Sequence, residues 1–349
     1  MKVSSGQKAK ESSNISNSSL ITPRPRSLPD GRQAGAKRGG HHSSLAFIFP
    51  GQGSQYVGMG KELWYNFNIV RDIFDEAGSA LGVDISRLCF EGPEEELNQT
   101  QNTQPALLTV SIAAWIVLNQ ETGLTPTFVA GHSLGEYTAL VVAGALDFKD
   151  AVRLVSLRGR FMQEAVPPGV GAMAAILGLD REAVEDICRQ VNNSIVVPAN
   201  FNSPEHTVIS GHREAVEEAS MLAKERGAKR AVTLPVSVPS HSPLMRAASE
   251  KLTGVLADIK VDPLDIPVVT NVEAEPLTDH ERVRELLVRQ LYSPVRWVET
   301  ILKMKELRVG KVIEIGPGKV LTGLVKRIDG GMETLNFEGK EDIQGIQKV

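Results

Sequence analysis

Cysteine is scarce: Cys89 and Cys188 are the only two in 349 residues. They stand far apart, and no C-x-x-C occurs. That argues against a disulfide framework and a thiolate metal site, and for two free thiols in a reducing compartment. No run of about 18 apolar residues exists, so no transmembrane helix is expected. No apolar stretch precedes Leu45, so a secretory signal is not expected either. The body of the chain also lacks a basic surplus. Residues 1–44 hold eight Lys and Arg against Glu11 and Asp30, leaving 30 basic and 40 acidic residues, a net of −10, on the remainder. An acidic body argues against nucleic acid as a partner.

What is present fits a soluble globular chain, with 42% hydrophobic and 23% charged residues. The length suits one large α/β domain or two ordinary ones. Residues 1–44 are rich in Ser, Gly, Pro and Arg and have no apolar periodicity, so they read as a disordered extension. Low acidity with Arg and Ser also fits an organelle transit peptide, and a mis-assigned start is a third reading. The cytoplasm is the expected location, with an organelle as the alternative.

Order begins at "LAFIFPGQGSQ", a short apolar strand broken by Pro50 and Gly51. Apolar residues recur at helical spacing from Lys61 to Leu81. Ala106 to Leu118 is almost continuously apolar, the signature of a buried helix. "TPTFVAG" reads as a central strand, "SLGEYTALVVAGAL" as the helix after it, and 148–166 as another helix. This alternation implies a parallel sheet with helices on both faces. After Pro167-Pro168-Gly169 the order becomes βαββαβ, the ferredoxin-like arrangement, over 171–237. The chain then returns to α/β material: helix 243–258, strand "IPVVTN", helix 280–292, strand "KVIEIG" and a helix from about Lys319. The expected fold is therefore α/β. Its large catalytic domain spans 45–170 and 238–340, and a ferredoxin-like small subdomain, 171–237, is inserted in it.

Gly131-His132-Ser133-Leu134-Gly135 fits G-x-S-x-G between a strand and a helix, the context of a nucleophile elbow. Ser133 is either that nucleophile or an ordinary helix cap. As a nucleophile it would have the Leu134 N–H beside it, at a helix N-terminus, for a developing oxyanion. A serine hydroxyl needs a base. The body offers His132, His206, His212, His241 and His280. His132 adjoins the serine and should point away from its Oγ; His212 and His280 begin helices and should be exposed; His206 enters a subdomain strand. His241 lies in "LPVSVPSHSPLM", a loop after a strand, where parallel-sheet enzymes place their sites. Gln52, between Gly51 and Gly53, could supply a donor near the nucleophile. "GQGSQY" has no third glycine for a dinucleotide fingerprint, and "GPGKVLTG" is not a phosphate loop. In "SLRGRFMQEA", one of Arg153, Arg158 and Arg160 could be a fixed cation for a substrate carboxylate, but spacing does not choose among them.

Eight blocks, "FPGQGSQYVGMG", "TQPALLTVSIA", "GHSLGEYTALVVAGAL", "LRGRFMQEA", "FNSPEHTVISG", "LPVSVPSHSPLM", "VRQLYSPVRW" and "EIGPGKVLTGL", occur in this order. Together they resemble the malonyl-CoA:acyl carrier protein transacylases of bacterial fatty acid synthesis, from about Leu45 to about Arg327. The resemblance implies an α/β-hydrolase-like large domain. It makes Ser133 the nucleophile and His241 the base of a Ser-His dyad. It places Gln52 and the Leu134 N–H at the oxyanion hole, Arg158 on the malonyl carboxylate, and the Gln290 main chain behind the histidine. Arg158, Gln290 and His132 are thus expected on the substrate side.

The implied substrate is malonyl-CoA and the implied partner is acyl carrier protein, bearing phosphopantetheine. No metal and no permanently bound cofactor are expected, and neither is nucleic acid, a membrane or an oligomer. Carrier docking would need a basic patch on an acidic body, for which Lys229 and Arg230 are candidates. Alternatives are a free-standing malonyl acyltransferase serving a polyketide synthase and, further off, an acyl-thioester hydrolase.

Overall fold

The computed structural model describes residues 44–192, 194–236 and 238–347. The extension expected over 1–44 lies outside these residues except for Ser44, which opens the first strand. Among the described residues, ten strands form two sheets: β1 Ser44–Phe49, β2 Phe128–Gly131, β3 Gly171–Leu177, β4 Val196–Ser203, β5 His206–His212, β6 Arg230–Thr233, β7 Val268–Val269, β8 Pro276–Leu277, β9 Val309–Ile315 and β10 Glu333–Phe337. The larger sheet has the order β10-β9-β1-β2-β7-β8 and is parallel apart from the β7–β8 pair. The smaller has the order β4-β5-β3-β6 and every pair in it is antiparallel. Its strands, with helices Arg181–Gln190 and Arg213–Glu225, follow the βαββαβ order.

The sequence dictates which strands sit in the middle. β1 reads Leu-Ala-Phe-Ile-Phe, and Ala46 to Phe49 are all buried, as expected of a strand covered on both faces. One layer packs Ala46, Ile48 and Ala130 against Trp297, Ile301 and Met304 of the helix Trp297–Glu306. The helix Thr100–Thr122 is buried on nearly all sides from Thr103 to Leu118, matching its unbroken apolar run. The small sheet lays Ala172, Ala174, Ile176 and Ile209 on Val184, Ile187, Val216 and Ala219 of its two helices. The Phe201 N–H donates to the Val295 carbonyl at 2.9 Å, tying β4 to the stretch that leads into the helix Trp297–Glu306.

Some expected elements differ. The helix expected over 61–81 is two, Lys61–Asn66 and Asn68–Leu81, separated by an extended Phe67. "IPVVTN" gives only the two-residue β7, because a turn follows at once, the Ala274 N–H donating to the Thr270 carbonyl at 2.9 Å. Helices Ile85–Glu91 and Glu94–Leu97 and the edge strand β10 had no clear signal, being short, broken by Gly92-Pro93, or half-exposed. Neither His212 nor His280 is the exposed residue expected. Both are half-buried, and His212 Nδ1 is bonded to Ser194 Oγ at 2.8 Å. Among the described residues, no helix is long and apolar enough to cross a membrane.

Two glycines set the geometry at the edge of the central strands. A methyl group at Gly131 would overlap the main chain of Gly135, and one at Gly135 would overlap the Phe49 carbonyl. Gly135→Ala should therefore cost about 3 kcal/mol or more in denaturant unfolding, since overpacking here meets backbone and not a movable side chain. Gly254→Ala, inside the helix Arg246–Asp258 with nothing near its would-be methyl, should be neutral or stabilise by about 1 kcal/mol. Equal effects at the two positions would contradict this packing.

Candidate active site

β1 and β2 run side by side with Phe49 opposite Gly131, so their following loops leave the same sheet edge. The His132 N–H donates to the Phe49 carbonyl at 3.0 Å, pinning the turn that carries Ser133. Ser133 has φ 52°, and His241 has φ 59°. Only four non-glycine residues among those described occupy this left-handed region, and these are two of them. Such strain persists only where the surroundings over-determine it, and it clusters at functional sites.

Asn271 is the surrounding group that fixes Ser133. Its Oδ1 accepts the Ser133 N–H at 2.7 Å and its Nδ2 donates to the Gly131 carbonyl at 2.6 Å. The N–H groups of Gly135, Glu136 and Tyr137 donate to the carbonyls of His132, Ser133 and Leu134. The Leu134 N–H, just before them, has no hydrogen-bond acceptor among the described residues, and neither has the Gln52 N–H. The Gln52 side chain instead reaches Thr100 Oγ1, at 3.5 Å.

Ser133 Oγ lies 2.8 Å from His241 Nε2. His241 Nδ1 faces the carbonyls of Gln290 at 2.8 Å and Ser293 at 3.1 Å. Carbonyls only accept, so Nδ1 carries the proton and Nε2 is free to accept from the serine. Gln290 ends the helix Val283–Gln290, and its carbonyl is one that such an end leaves unpaired, at the negative pole of the helix dipole. Where many hydrolases place an acidic side chain, His241 thus meets main-chain carbonyls. Burial, and then the charge of Arg158, hold the imidazole far below its ordinary range.

Arg158 is 1% exposed. It rides on the helix Phe148–Glu164, which Gly159 lets approach the main chain of Thr100 and Gln101. Its Nη1 donates to Gln104 Oε1 at 2.8 Å, and its Nη2 to Gln290 Oε1 at 3.1 Å and to Ser133 Oγ at 3.3 Å. Its Nε is buried with no partner among the described residues. Arg153 and Arg160, the other two candidates, are about half exposed and pair with Asp150 and Glu164. The structure therefore separates the three arginines that spacing left equivalent.

Other expected residues fall at differing distances from this centre. His132 Nε2 bonds Asn202 Oδ1 at 2.8 Å and its ring packs edge-on to Trp297, so its side chain is engaged away from Ser133 Oγ. Lys229 and Arg230 are exposed at the start of β6, and Lys229 Nζ pairs with Glu205 at 2.9 Å. Asn271, Gln104 and Glu136 were missed. Glu136 reads in sequence as an ordinary first-turn acid of the helix Gly135–Val142, yet it is 1% exposed. Its Oε2 accepts from Gln290 Nε2 at 2.6 Å and from the Asn271 N–H at 3.2 Å. Among the described residues, no group of three or more His, Cys, Asp or Glu is placed to hold a metal ion.

A buried neutral base should remain competent well into acid. The rate at which a neutral sulfonyl fluoride labels Ser133 should show no decline with a midpoint near pH 6.5, the ordinary histidine value, and should fall only at lower pH. A titration centred on 6.5 would mean that His241 is solvated and not held as described.

Residues 46–338 match the acyl transferase domain family. The malonyl CoA-acyl carrier protein transacylase of Escherichia coli K12 is 53% identical over 287 residues, covering 82% of this chain and 93% of the relative. The crystal structure of an acyl carrier protein S-malonyltransferase from Vibrio cholerae superposes with a TM-score of 0.85 at 50% identity, covering 87% of this chain and all of that one. A malonyl-transacylase solved with its type II polyketide-synthase acyl-carrier protein gives 0.86 at 50%, covering 88% and 99%. With the α/β sheet order, the elbow and the family match in agreement, this chain belongs to the acyl transferase family, among the malonyl CoA-acyl carrier protein transacylases.

Proposed function

We propose that the protein transfers a malonyl group from malonyl-CoA to the phosphopantetheine thiol of acyl carrier protein, through an ester on Ser133, and so supplies fatty acid synthesis. One observation carries the substrate assignment: a buried arginine with an unused Nε–H reaches to 3.3 Å of the Ser133 Oγ. A guanidinium in a dry pocket beside a nucleophile invites a carboxylate-bearing acyl group, which can take charge-assisted hydrogen bonds from it.

The steps follow from the atoms. Ser133 Oγ attacks the thioester carbon while His241 Nε2 takes its proton. The Leu134 and Gln52 N–H groups, both without internal acceptors, receive the oxyanion. His241 returns the proton to the departing CoA sulfur. Its brief positive charge is stabilised by the Gln290 and Ser293 carbonyls. Malonyl-Ser133 then accepts attack by the carrier's thiol, and His241 repeats its role in reverse. Gln290 contributes twice: its carbonyl orients His241, and its side-chain amide holds Arg158. His132 serves the substrate side indirectly, its ring held by Asn202 and Trp297 while its main chain leads into Ser133.

The remaining assignments belong to the same proposal. The catalytic domain is 45–170 with 238–340, and 171–237 is the small subdomain. The protein acts as a monomer in the cytoplasm, with no nucleic acid, membrane, metal or resident cofactor involved. The carrier docks near Lys229 and Arg230.

Arg158→Ala should lower kcat/KM for malonyl-CoA about 10²-fold or more, in line with the ~3 kcal/mol at stake when one partner of a buried ion pair is removed. Transfer from acetyl-CoA should fall far less. An unchanged malonyl-to-acetyl ratio would remove Arg158 from the assignment. Reversing charge at both Lys229 and Arg230 should raise the KM for carrier protein and leave that for malonyl-CoA alone; unchanged carrier kinetics would rule out this patch.

A further inference from the structure

Beside the nucleophile, the buried carboxylate of Glu136 has no step of its own in this reaction. Glu136 sits three residues past the nucleophile, and its Oε2 accepts the Gln290 side-chain amide and the Asn271 main-chain amide. The same Gln290 amide presents its Oε1 to Arg158 and donates from Nε2 to the Ser133 carbonyl at 3.0 Å. Its orientation is forced. Reversed, its oxygen would face a carboxylate and a carbonyl, and its NH2 would face a guanidinium. Glu136 and Arg158 are therefore opposite charges in one dry cluster, bridged by a single amide, and each is about 1% exposed.

Few other groups could share this charge balance. Of the elements packed on the helix Gly135–Val142, strands β1, β2 and β7 bring no ionisable residue to it. The helix Thr100–Thr122 has only Glu121, at its far end. The helix Phe148–Glu164 brings Arg158, whose guanidinium carbon lies 5.3 Å from the centre of the Tyr137 ring. Burial pushes Tyr137 up to about 12, so it stays neutral, and His241, beyond Gln290, is held neutral too. Among the described residues, the Arg158 cation is thus faced by one carboxylate, that of Glu136.

Malonylation adds a second carboxylate to this cluster. Two anions against one cation leave an unbalanced charge in a desolvated site, which is costly. Resting on the malonyl assignment proposed above, we infer that Glu136 is the resident counter-ion of Arg158 and that it takes up a proton when the malonyl carboxylate arrives. It thereby hands the arginine over to the substrate. The proton goes onto Oε1, which neither Gln290 nor Asn271 uses, and Oε2 keeps its two donors. Glu136 is thus a positioning residue for the specificity arginine. Burial has already pushed its carboxyl up to about 7 in the empty site, so a further negative charge nearby finds it ready to protonate near neutral pH.

The chemistry itself is proton-neutral below the thiol's own titration, because the departing CoA sulfur leaves with the serine's proton. Any uptake on forming malonyl-Ser133 therefore belongs to the protein. In weakly buffered solution with a pH indicator and excess malonyl-CoA, the wild-type protein at pH 7.5 should take up protons on malonylation, to a limit of about one per malonyl group added. At pH 5.5, where Glu136 is already protonated, uptake should be close to zero. Glu136→Gln, which keeps an acceptor for Gln290 and removes the charge, should still be malonylated and should take up no proton at either pH. Adduct formation without uptake at pH 7.5 in the wild type would overturn the inference, as would undiminished uptake in Glu136→Gln. Absence of any adduct by mass spectrometry would instead defeat the malonyl reading on which the inference rests.

Discussion

A guanidinium cannot be buried dry without partners, and the interior around Ser133 is organised by that requirement. Arg158 is always charged in a protein, and burial alone opposes it. Gln104 and Gln290 each give it one oxygen, Glu136 balances its charge across Gln290, and its Nε remains unspent. Each of these groups comes from a different helix or is fixed by one, so the arginine's position is set by the packing of the whole large sheet and its helices. Remove a partner and the cost is that of a lone buried charge, several times the worth of a surface ion pair. The surface pairs of this protein, such as Arg181 with Glu185 and Lys251 with Glu164, carry no comparable constraint.

The same packing holds the two strained residues. Ser133 and His241 reach each other because both accept left-handed backbone, and the strain is offset by bonds elsewhere. Asn271 clamps the main chain on either side of His132. The His241 N–H donates to the Leu291 carbonyl at 3.0 Å, and its ring rests on the end of the helix Val283–Gln290. That helix end and Ser293 in the loop after it supply the carbonyl oxygens that orient the imidazole, so no acidic side chain need touch the histidine. The acid present, Glu136, serves the arginine instead. Desolvation acts on the site's acid and its base in opposite senses: it keeps His241 neutral by lowering its affinity for a proton, and raises Glu136 towards neutral pH.

Much of this was legible in the residues. The alternation of apolar strands with amphipathic helices, then the βαββαβ interval, implied a parallel sheet and a ferredoxin-like one inserted after it, but not the strand order within them. Strand-to-helix context around Gly131 and Gly135 pointed to Ser133, and a loop after a strand pointed to His241. What stayed hidden depends on tertiary neighbours. Arg153, Arg158 and Arg160 lie on one helix, and Arg158 is buried because it shares the face of Val155, Gly159 and Met162, where Gly159 meets the helix Thr100–Thr122. Asn271 follows a strand just two residues long and has no local pattern; its meaning comes from β2 lying beside β7. Glu136 carries the residue type expected in a first helical turn, so its burial leaves no mark in the sequence.

The most direct test is the mass of the protein after exposure to malonyl-CoA, with the modified residue located by fragmentation. One malonyl group should appear on Ser133, persist while water is the only acceptor, and leave when phosphopantetheine-bearing acyl carrier protein is added. A protein that stays unmodified, carries the group elsewhere, or loses it to water as fast as to the carrier would contradict a malonyl transferase built on Ser133, His241 and Arg158.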